Sequence, residues 1–204
     1  MDKTTQVIFV RHAQTQTITS QRIHGQTDGP LSEKGVMDAQ KTADFFRGHS
    51  FDAFYSSPIG RAMTTAKMIG KAIDMTPAPI DGLKERYYGW LEGRSLKWFD
   101  PDLSGPKVTL PIVKFALWAS GESSKDFVDR VTSAFDAITE THKGQRVLIV
   151  LHWGVLGVLT QYLHKKDLKK WQKIGPWVAC GISEFHRDNG KWDPIYLDKD
   201  DHLR

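Results

Sequence analysis

Apolar runs of strand length alternate along this chain with longer segments whose apolar residues recur every three or four positions. Residues 6–11 are apolar on both faces, as expected of a central strand in a parallel sheet. Residues 51–55 and 146–151 predict two more strands, and the segments that follow the strands have helical spacing. Alternation of this kind is typical of an α/β fold with a largely parallel sheet.

Capping residues mark where two of the helices are expected to begin. Ser32 is the predicted N-cap of a helix that runs to about residue 47. Its inward-facing stripe is predicted to be Val36, Ala39, Ala43 and Phe46. Ser57 and Pro58 predict the next start, since a capping serine often precedes a proline at the first helical position. Further helices are predicted at residues 122–142 and 155–163.

The remaining segments predict the edges of the sheet. Prolines confine a short strand at residues 76–80 to an edge. Strands at residues 182–186 and 192–196 are joined by Asp188-Asn189-Gly190-Lys191, which predicts a hairpin with a type I′ turn. Residues 89–121 are irregular and predict an insertion over one end of the sheet. The chain is therefore predicted to be a single three-layer α/β domain over residues 1–204, with a mostly parallel mixed sheet flanked by helices.

Composition narrows the classes of protein to consider. The net charge of +4 suits an anionic small-molecule substrate, but the basic residues are scattered and do not indicate a nucleic-acid partner. No apolar stretch approaches the roughly 20 residues of a membrane span. The polar first residues lead straight into a strand without a secretory signal, and the single Cys180 lies in an apolar run as a small core residue. These features predict a cytoplasmic protein.

Histidines and arginines stand at the ends of the predicted strands. His12 and His152 each directly follow an apolar run, at the carboxyl edge where open α/β sheets bind ligands. Arg11 precedes the first histidine, Arg61 follows another strand, and Glu85 supplies a carboxylate. This combination predicts the handling of a phosphoryl group through a histidine nucleophile. The other histidines lack metal-ligand spacing, so no metal site is predicted.

The motifs around these residues carry a resemblance to a known family. Arg11-His12-Ala13-Gln14-Thr15 resembles the Arg-His-Gly-Glu-Thr signature of the histidine phosphatase superfamily, the phosphoglycerate mutase-like proteins. The similarity continues in order through Arg22-Ile23-His24-Gly25-Gln26, Pro30-Leu31-Ser32, Tyr55-Ser56-Ser57-Pro58-Ile59-Gly60-Arg61-Ala62, Leu83-Lys84-Glu85-Arg86-Tyr87-Tyr88-Gly89-Trp90-Leu91-Glu92-Gly93, Gly121-Glu122-Ser123 and His152. The ordered set spans almost the whole chain.

The resemblance implies a role for each of these residues. His12 would attack phosphorus, and Arg11 and Arg61 would clamp the phosphoryl oxygens. His152 would donate a hydrogen bond to the same oxygens, and Glu85 would protonate the leaving group and then activate water.

Three further residues are expected at the rim of the phosphate site. Arg22 stands at the family's third arginine position and would bind substrate or phosphate. Gln14 and Thr15 belong to the first motif and would supply additional phosphate contacts.

Three positions depart from the family pattern. Ala13 and Trp153 replace glycines that follow the two histidines, and the Trp153 indole must find room. Ile18 stands where the family has a phosphate-binding asparagine and cannot donate a hydrogen bond, so one contact is lost unless a neighbour such as Gln14 replaces it.

The expected activity is that of a histidine acid phosphatase-type phosphoric monoester hydrolase. It would hydrolyse a small phosphorylated metabolite without a metal or other cofactor, through a phosphohistidine at His12. A cofactor-dependent phosphoglycerate mutase is an alternative, although members of that group have a larger insertion after the Glu85 region. A weakly active phosphate-binding protein is another. A homodimer is compatible with the sequence, and neither nucleic acid nor membrane is expected as a partner.

Overall fold

In the computed structural model, the chain folds into one mixed sheet with helices on both faces. The structure describes residues 4–16, 22–95, 120–173, 175 and 177–204. The strands are β1 (Thr5–Arg11), β2 (Ala53–Ser56), β3 (Ala78–Pro79), β4 (Arg146–Leu151), β5 (Ile182–Asp188) and β6 (Lys191–Lys199). The α-helices are α1 (Glu33–Phe46), α2 (Gly60–Ile73), α3 (Ser124–Thr141) and α4 (Trp153–Leu163). Short 3-10 helices cover Asp81–Leu83, Gly89–Leu91, Leu168–Lys173 and Asp201–Leu203.

The strand order β3-β2-β4-β1-β5-β6 aligns the carboxyl ends of the central strands. β1 pairs with β4, β4 with β2, and β2 with β3 in parallel, whereas β5 and β6 extend the sheet as antiparallel strands. Arg11 at the end of β1 lies opposite Leu151 at the end of β4, and Ser56 at the end of β2 lies opposite Val150. The residues that follow these three strands therefore leave the sheet from neighbouring points.

Alternate residues of the central strands pack against different helices, which gives the three layers. Val7 and Phe9 of β1 belong to a core that includes residues of α3 and α4. Ile8 and Val10 belong to a second core with residues of α1 and α2. A strand apolar on both faces must be covered on both faces, and the predicted α/β fold class is confirmed.

Helix α1 begins as predicted, and Ala39, Ala43 and Phe46 of its predicted inward stripe are buried. The Ser32 hydroxyl accepts a hydrogen bond from the Gly35 amide at 3.0 Å, which confirms the predicted cap. Val36, predicted to face inward, is 46% exposed, so that prediction is wrong. Gly35 takes the inward position because its backbone approaches Gln14 so closely that a Cβ there would lie 2.0 Å from the Gln14 carbonyl oxygen.

Helix α2 begins later than the sequence predicts. Its N-cap is Ile59 rather than Ser57, and the Ser57 hydroxyl does no more at this helix than accept a 3.3 Å hydrogen bond from the Ile59 amide. Asp28, from a distant loop, accepts a hydrogen bond from the Arg61 amide at 3.0 Å. Because Asp28 accepts from an amide in the first turn, the Ser57 hydroxyl is not needed as the cap of α2 and can make another contact.

The predicted hairpin and edge strand are confirmed. Asn189 and Gly190 both have positive φ, at 48° and 76°, as a type I′ turn between β5 and β6 requires. β3 lies at the edge of the sheet. No strand in the described part of the chain pairs with its outer side, so the missing amide of its proline costs no hydrogen bond between strands. Cys180 is fully buried, as predicted for a core residue.

Two expectations fall largely outside the described residues. Most of the predicted insertion at residues 89–121 and the substituted position Ile18 are not described, so both stay predictions. Within the described ranges, no helix is both long enough and apolar enough to cross a membrane.

Candidate active site

His12 follows β1 and is held in one orientation by the backbone. Its amide donates to the Leu151 carbonyl at 2.9 Å, which continues the sheet by one residue. Its Nδ1 lies 2.8 Å from the Ala13 carbonyl oxygen, which can only accept, so Nδ1 carries the proton and Nε2 keeps its lone pair. Burial and the nearby charges of Arg61 and Arg11 hold the pKa of His12 well below its ordinary value. The ring is therefore neutral at neutral pH and presents a nucleophilic nitrogen.

Arg61, in the first turn of α2, lies directly against that nitrogen. Its Nε is 3.2 Å from His12 Nε2, and its Nη1 and Nη2 donate to the carbonyl oxygens of Thr27 and Gly25 at 2.9 and 2.7 Å. The side chain is almost fully buried. These contacts fix the plane of the guanidinium beside the atom that would attack phosphorus.

His152 follows β4 and completes a pair of buried imidazoles. The ring centroids of His12 and His152 are 5.1 Å apart. Its Nε2 lies 2.7 Å from the Ser57 hydroxyl, whereas its buried Nδ1 has no hydrogen-bond partner among the described residues. Burial and the charges of Arg61 and Arg11 hold the pKa of His152 well below its ordinary value.

Arg11 is anchored at one end. Its Nη1 donates to the Trp177 carbonyl oxygen, and its buried Nε has no partner in the described part of the chain. Arg11 and Arg61 both contribute positive charge at His12, so the surroundings of the nucleophile are cationic.

Glu85 reaches the site from a loop rather than from a strand end. Its carboxylate accepts hydrogen bonds from the Gly154 amide at 2.9 Å and the Arg86 amide at 2.8 Å. A Cβ on Gly154 would lie 2.3 Å from Glu85 Oε1, so this close approach requires glycine. Burial raises the pKa of Glu85, and these hydrogen bonds and the nearby arginines offset the rise only in part. The carboxyl group is thus biased toward its protonated form, as a general acid needs.

A half-buried ion pair between Arg130 on α3 and Glu122, two residues before α3, holds the loop of Glu85. Arg130 donates to the carbonyl oxygens of Gly82, Lys84 and Glu85 at 2.7–2.9 Å and forms a two-point contact with Glu122 at 2.5 and 2.9 Å. The Gly121-Glu122-Ser123 motif pointed to one half of this pair, but no local pattern identified Arg130.

Three predicted rim residues have contacts with other parts of the protein. The Gln14 side-chain oxygen accepts from the Ser32 hydroxyl at 2.9 Å, and Thr15 is buried in an isolated bridge with Leu31. Arg22 is exposed and donates to the Gly93 carbonyl oxygen at 2.7 Å. Their roles at a phosphate stay predictions, as do the catalytic roles of the central residues.

The substituted glycine positions are accommodated. Ala13 is fully buried and its amide donates to the Thr65 hydroxyl at 3.1 Å. The Trp153 indole lies against Trp171, with ring centroids 6.2 Å apart. Among the described residues, no three His, Cys, Asp or Glu side chains are grouped closely enough to hold a metal ion. Metal independence remains a prediction.

The sequence of this chain is similar to those of several known proteins. The family model of the histidine phosphatase superfamily (branch 1) matches residues 7–198. A metal-independent phosphoserine phosphatase of Arabidopsis thaliana is 31% identical, over 92% of this chain and 79% of that protein. A probable phosphoglycerate mutase GpmB of Yersinia pestis is 33% identical, over 95% of this chain and 98% of that protein.

Solved structures share the fold. A phosphoserine phosphatase from Entamoeba histolytica, in complex with 3-phosphoglyceric acid, has a TM-score of 0.82 at 23% identity and covers 98% of this chain and 100% of its own. YhfR of Bacillus stearothermophilus has a TM-score of 0.82 at 24% identity, with the same coverage.

Proposed function

Since the chain belongs to the histidine phosphatase superfamily, we propose that it hydrolyses a small phosphoric monoester through a phosphohistidine at His12, without a metal ion. The observation that carries the proposal is the pairing of His12 Nε2, the unprotonated nitrogen, with the buried Arg61 guanidinium at 3.2 Å. A neutral imidazole beside a fixed cation can attack phosphorus while the cation balances the charge on the phosphoryl oxygens.

In the first step, the lone pair of His12 Nε2 forms a bond to phosphorus as the bond from phosphorus to the ester oxygen breaks. The leaving oxygen takes the proton of the Glu85 carboxyl group, whose raised pKa supports this role. Arg61 and Arg11 would hold the transferring oxygens during this step.

In the second step, water attacks the phosphohistidine. Glu85, now a carboxylate, accepts a proton from the water as the new phosphorus–oxygen bond forms and the nitrogen–phosphorus bond breaks. Inorganic phosphate leaves, His12 returns to its neutral state, and Glu85 is protonated again.

A labelling experiment tests this mechanism. Phosphoramidates are labile in acid and stable in base, so brief exposure to ³²P-labelled substrate should leave label on the protein that acid removes and alkali does not. His12→Ala should abolish both the label and the turnover of p-nitrophenyl phosphate, and EDTA should not change the rate of the wild-type protein. Label that persists in His12→Ala, or activity lost to the chelator, would contradict the proposal.

A cofactor-dependent phosphoglycerate mutase is the second candidate, supported by 33% identity to a probable phosphoglycerate mutase over nearly its full length. Incubation with 3-phosphoglycerate, with and without its bisphosphorylated primer, separates the two activities. A phosphatase releases inorganic phosphate and needs no primer, whereas a mutase forms 2-phosphoglycerate in a primer-dependent reaction. A protein that binds phosphate but shows neither reaction would be the weakly active alternative.

A further inference from the structure

Ser57 and His152 form a buried hydrogen bond that has no part in the mechanism above. Both side chains are fully buried, and Ser57 Oγ lies 2.7 Å from His152 Nε2. Ser57 directly follows β2 and His152 directly follows β4, the neighbouring parallel strand. The sheet therefore fixes the hydroxyl and the ring relative to each other.

The Ser57 hydroxyl has one proton, which needs a hydrogen-bond acceptor. Its oxygen already accepts the Ile59 amide proton at 3.3 Å, and the described part of the chain gives the hydroxyl proton no acceptor other than His152 Nε2. If Nε2 carried a proton and donated it to Ser57, the hydroxyl proton would be buried without a partner, at a cost of about 1–3 kcal/mol. Donation from Ser57 to Nε2 avoids that cost and leaves the ring proton on Nδ1.

We propose that Ser57 is a positioning residue that fixes neutral His152 as its Nδ1-protonated tautomer, so that Nδ1–H is the hydrogen-bond donor to the substrate's phosphoryl group. This inference rests on the proposed phosphatase function. Nδ1 is buried and without a partner among the described residues, on a ring whose centroid is 5.1 Å from that of His12. A phosphoryl oxygen is the acceptor that the site would receive from its substrate.

The two histidines would then share one tautomer and use opposite nitrogens. The Ala13 carbonyl accepts from His12 Nδ1–H, so Nε2 keeps its lone pair, which accepts from Arg61 Nε–H in this structure and would attack phosphorus in the substrate complex. The Ser57 hydroxyl donates to His152 Nε2 and so leaves Nδ1–H for stabilisation. An acceptor next to one ring and a donor next to the other distinguish nucleophile from stabiliser within the same buried pair.

Nitrogen NMR of the full chain with ¹⁵N-labelled histidine tests the assignment directly. At neutral pH, without ligand, the wild-type protein should show His152 Nδ1 as a protonated, pyrrole-like nitrogen and Nε2 as an unprotonated, pyridine-like nitrogen. The reverse assignment, or protonation of both nitrogens, would overturn the proposal. This readout does not depend on turnover, so it stands or fails separately from the proposed phosphatase activity.

Ser57→Ala supplies the functional test, with Ser56→Ala as the matched control. Ser56 is the preceding residue, is equally buried, and donates its hydroxyl to the Ser57 carbonyl oxygen at 2.9 Å rather than to a histidine. In Ser57→Ala the spectrum of His152 should shift to a mixture of tautomers, and kcat on p-nitrophenyl phosphate should fall roughly 10–10²-fold, up to the loss of one oxyanion donor.

Inhibition by orthovanadate should weaken by a similar factor in Ser57→Ala, because vanadate resembles the transferring phosphoryl group. Ser56→Ala should keep the wild-type spectrum of His152 and a kcat within a fewfold of wild type. Equal losses in the two variants, or an unchanged His152 tautomer in Ser57→Ala, would show that Ser57 contributes only packing.

Discussion

Two sides of the site are built in different ways: the nucleophile side, with His12, His152 and Arg61, and the acid side, with Glu85. His12 and His152 each directly follow a central strand, and Arg61 lies in the first turn of α2. Glu85 lies instead in a loop without regular structure, between two short 3-10 helices. Its backbone carbonyl is held by Arg130 and by the side chain of Gln26, at 2.9 and 3.0 Å.

This difference determines which substitutions can displace the residues of each side. A residue that leaves a strand is positioned by a ladder of backbone hydrogen bonds, and no surface substitution removes that ladder. A loop residue is positioned by individual side-chain contacts, each of which one substitution can remove. Remote substitutions should therefore separate the acid function from the nucleophile function.

Glu85→Gln removes the acid function and should have the largest effect. The amide cannot protonate the leaving oxygen, so kcat for an alkyl phosphate should fall by ~10²–10⁴. The pre-steady-state burst of p-nitrophenolate from p-nitrophenyl phosphate, which reports phosphorylation of His12, should fall much less, because p-nitrophenolate leaves without a proton. Single-turnover kinetics on both esters measure the first step apart from the hydrolysis of phosphohistidine, and Glu140→Gln, at an exposed glutamate on α3, is the control. Equal losses in the first step for the two esters would mean that Glu85 is not the proton donor.

Arg130→Met should weaken the same function from a distance. Without the guanidinium, the carbonyl oxygens of the Glu85 loop lose a shared donor and Glu122 loses its partner, so the carboxyl group shifts from its productive position. A displacement of about 1 Å can cost ~10²-fold, and we expect a loss of that order in the first step for alkyl phosphates, with a smaller loss in the burst of p-nitrophenolate from p-nitrophenyl phosphate.

Formation of phosphohistidine from an activated ester should survive in Arg130→Met. Arg187→Met is the matched control, because Arg187 pairs with Glu140 at 3.2 Å on the surface and away from the loop. A uniform loss on every substrate, matched by a large fall in melting temperature, would show that Arg130 supports the fold and not Glu85 in particular.

The buried histidines of the nucleophile side should instead lower the free energy of unfolding of the protein in acid. His12 and His152 are buried and neutral, with pKa values below their ordinary range, so above about pH 6.5 neither contributes a pH-dependent term. Below that pH the unfolded chain takes up protons that the folded protein excludes, and stability should fall by up to ~1.4 kcal/mol per pH unit for each histidine.

Denaturant unfolding between pH 7 and pH 5 measures this slope. The double variant His12→Asn, His152→Asn should have a shallower slope in this window than the wild-type protein, with His49→Asn, at an exposed histidine, as the surface control. An identical slope in the double variant would mean that the buried imidazoles accept protons in the folded state.

The nucleophile side was also the more predictable from sequence. Strand β4 has the predicted bounds, and His12 and His152 follow their strands as predicted, because an apolar run and its first polar neighbour are adjacent in the chain. On the acid side, the sequence identified Glu85 as a candidate carboxylate, but only the family resemblance implied its role as the acid. Arg130 was missed, since an arginine on an amphipathic helix has the same pattern whether it faces solvent or a loop about 45 residues earlier in the chain.

The contact of Ser57 shows which features follow from the sequence and which depend on the tertiary structure. The sequence by itself determined the order of strands and helices, the turn at Asn189-Gly190 and the set of histidines and arginines at strand ends, because these depend on local periodicity and backbone preference. Only the tertiary structure decided that Asp28 accepts from the Arg61 amide in the first turn of α2 and that the Ser57 hydroxyl reaches His152, 95 residues later. A hydroxyl can bond any donor or acceptor that the fold brings near, so its partner depends on the packing of distant segments rather than on its neighbours in the chain.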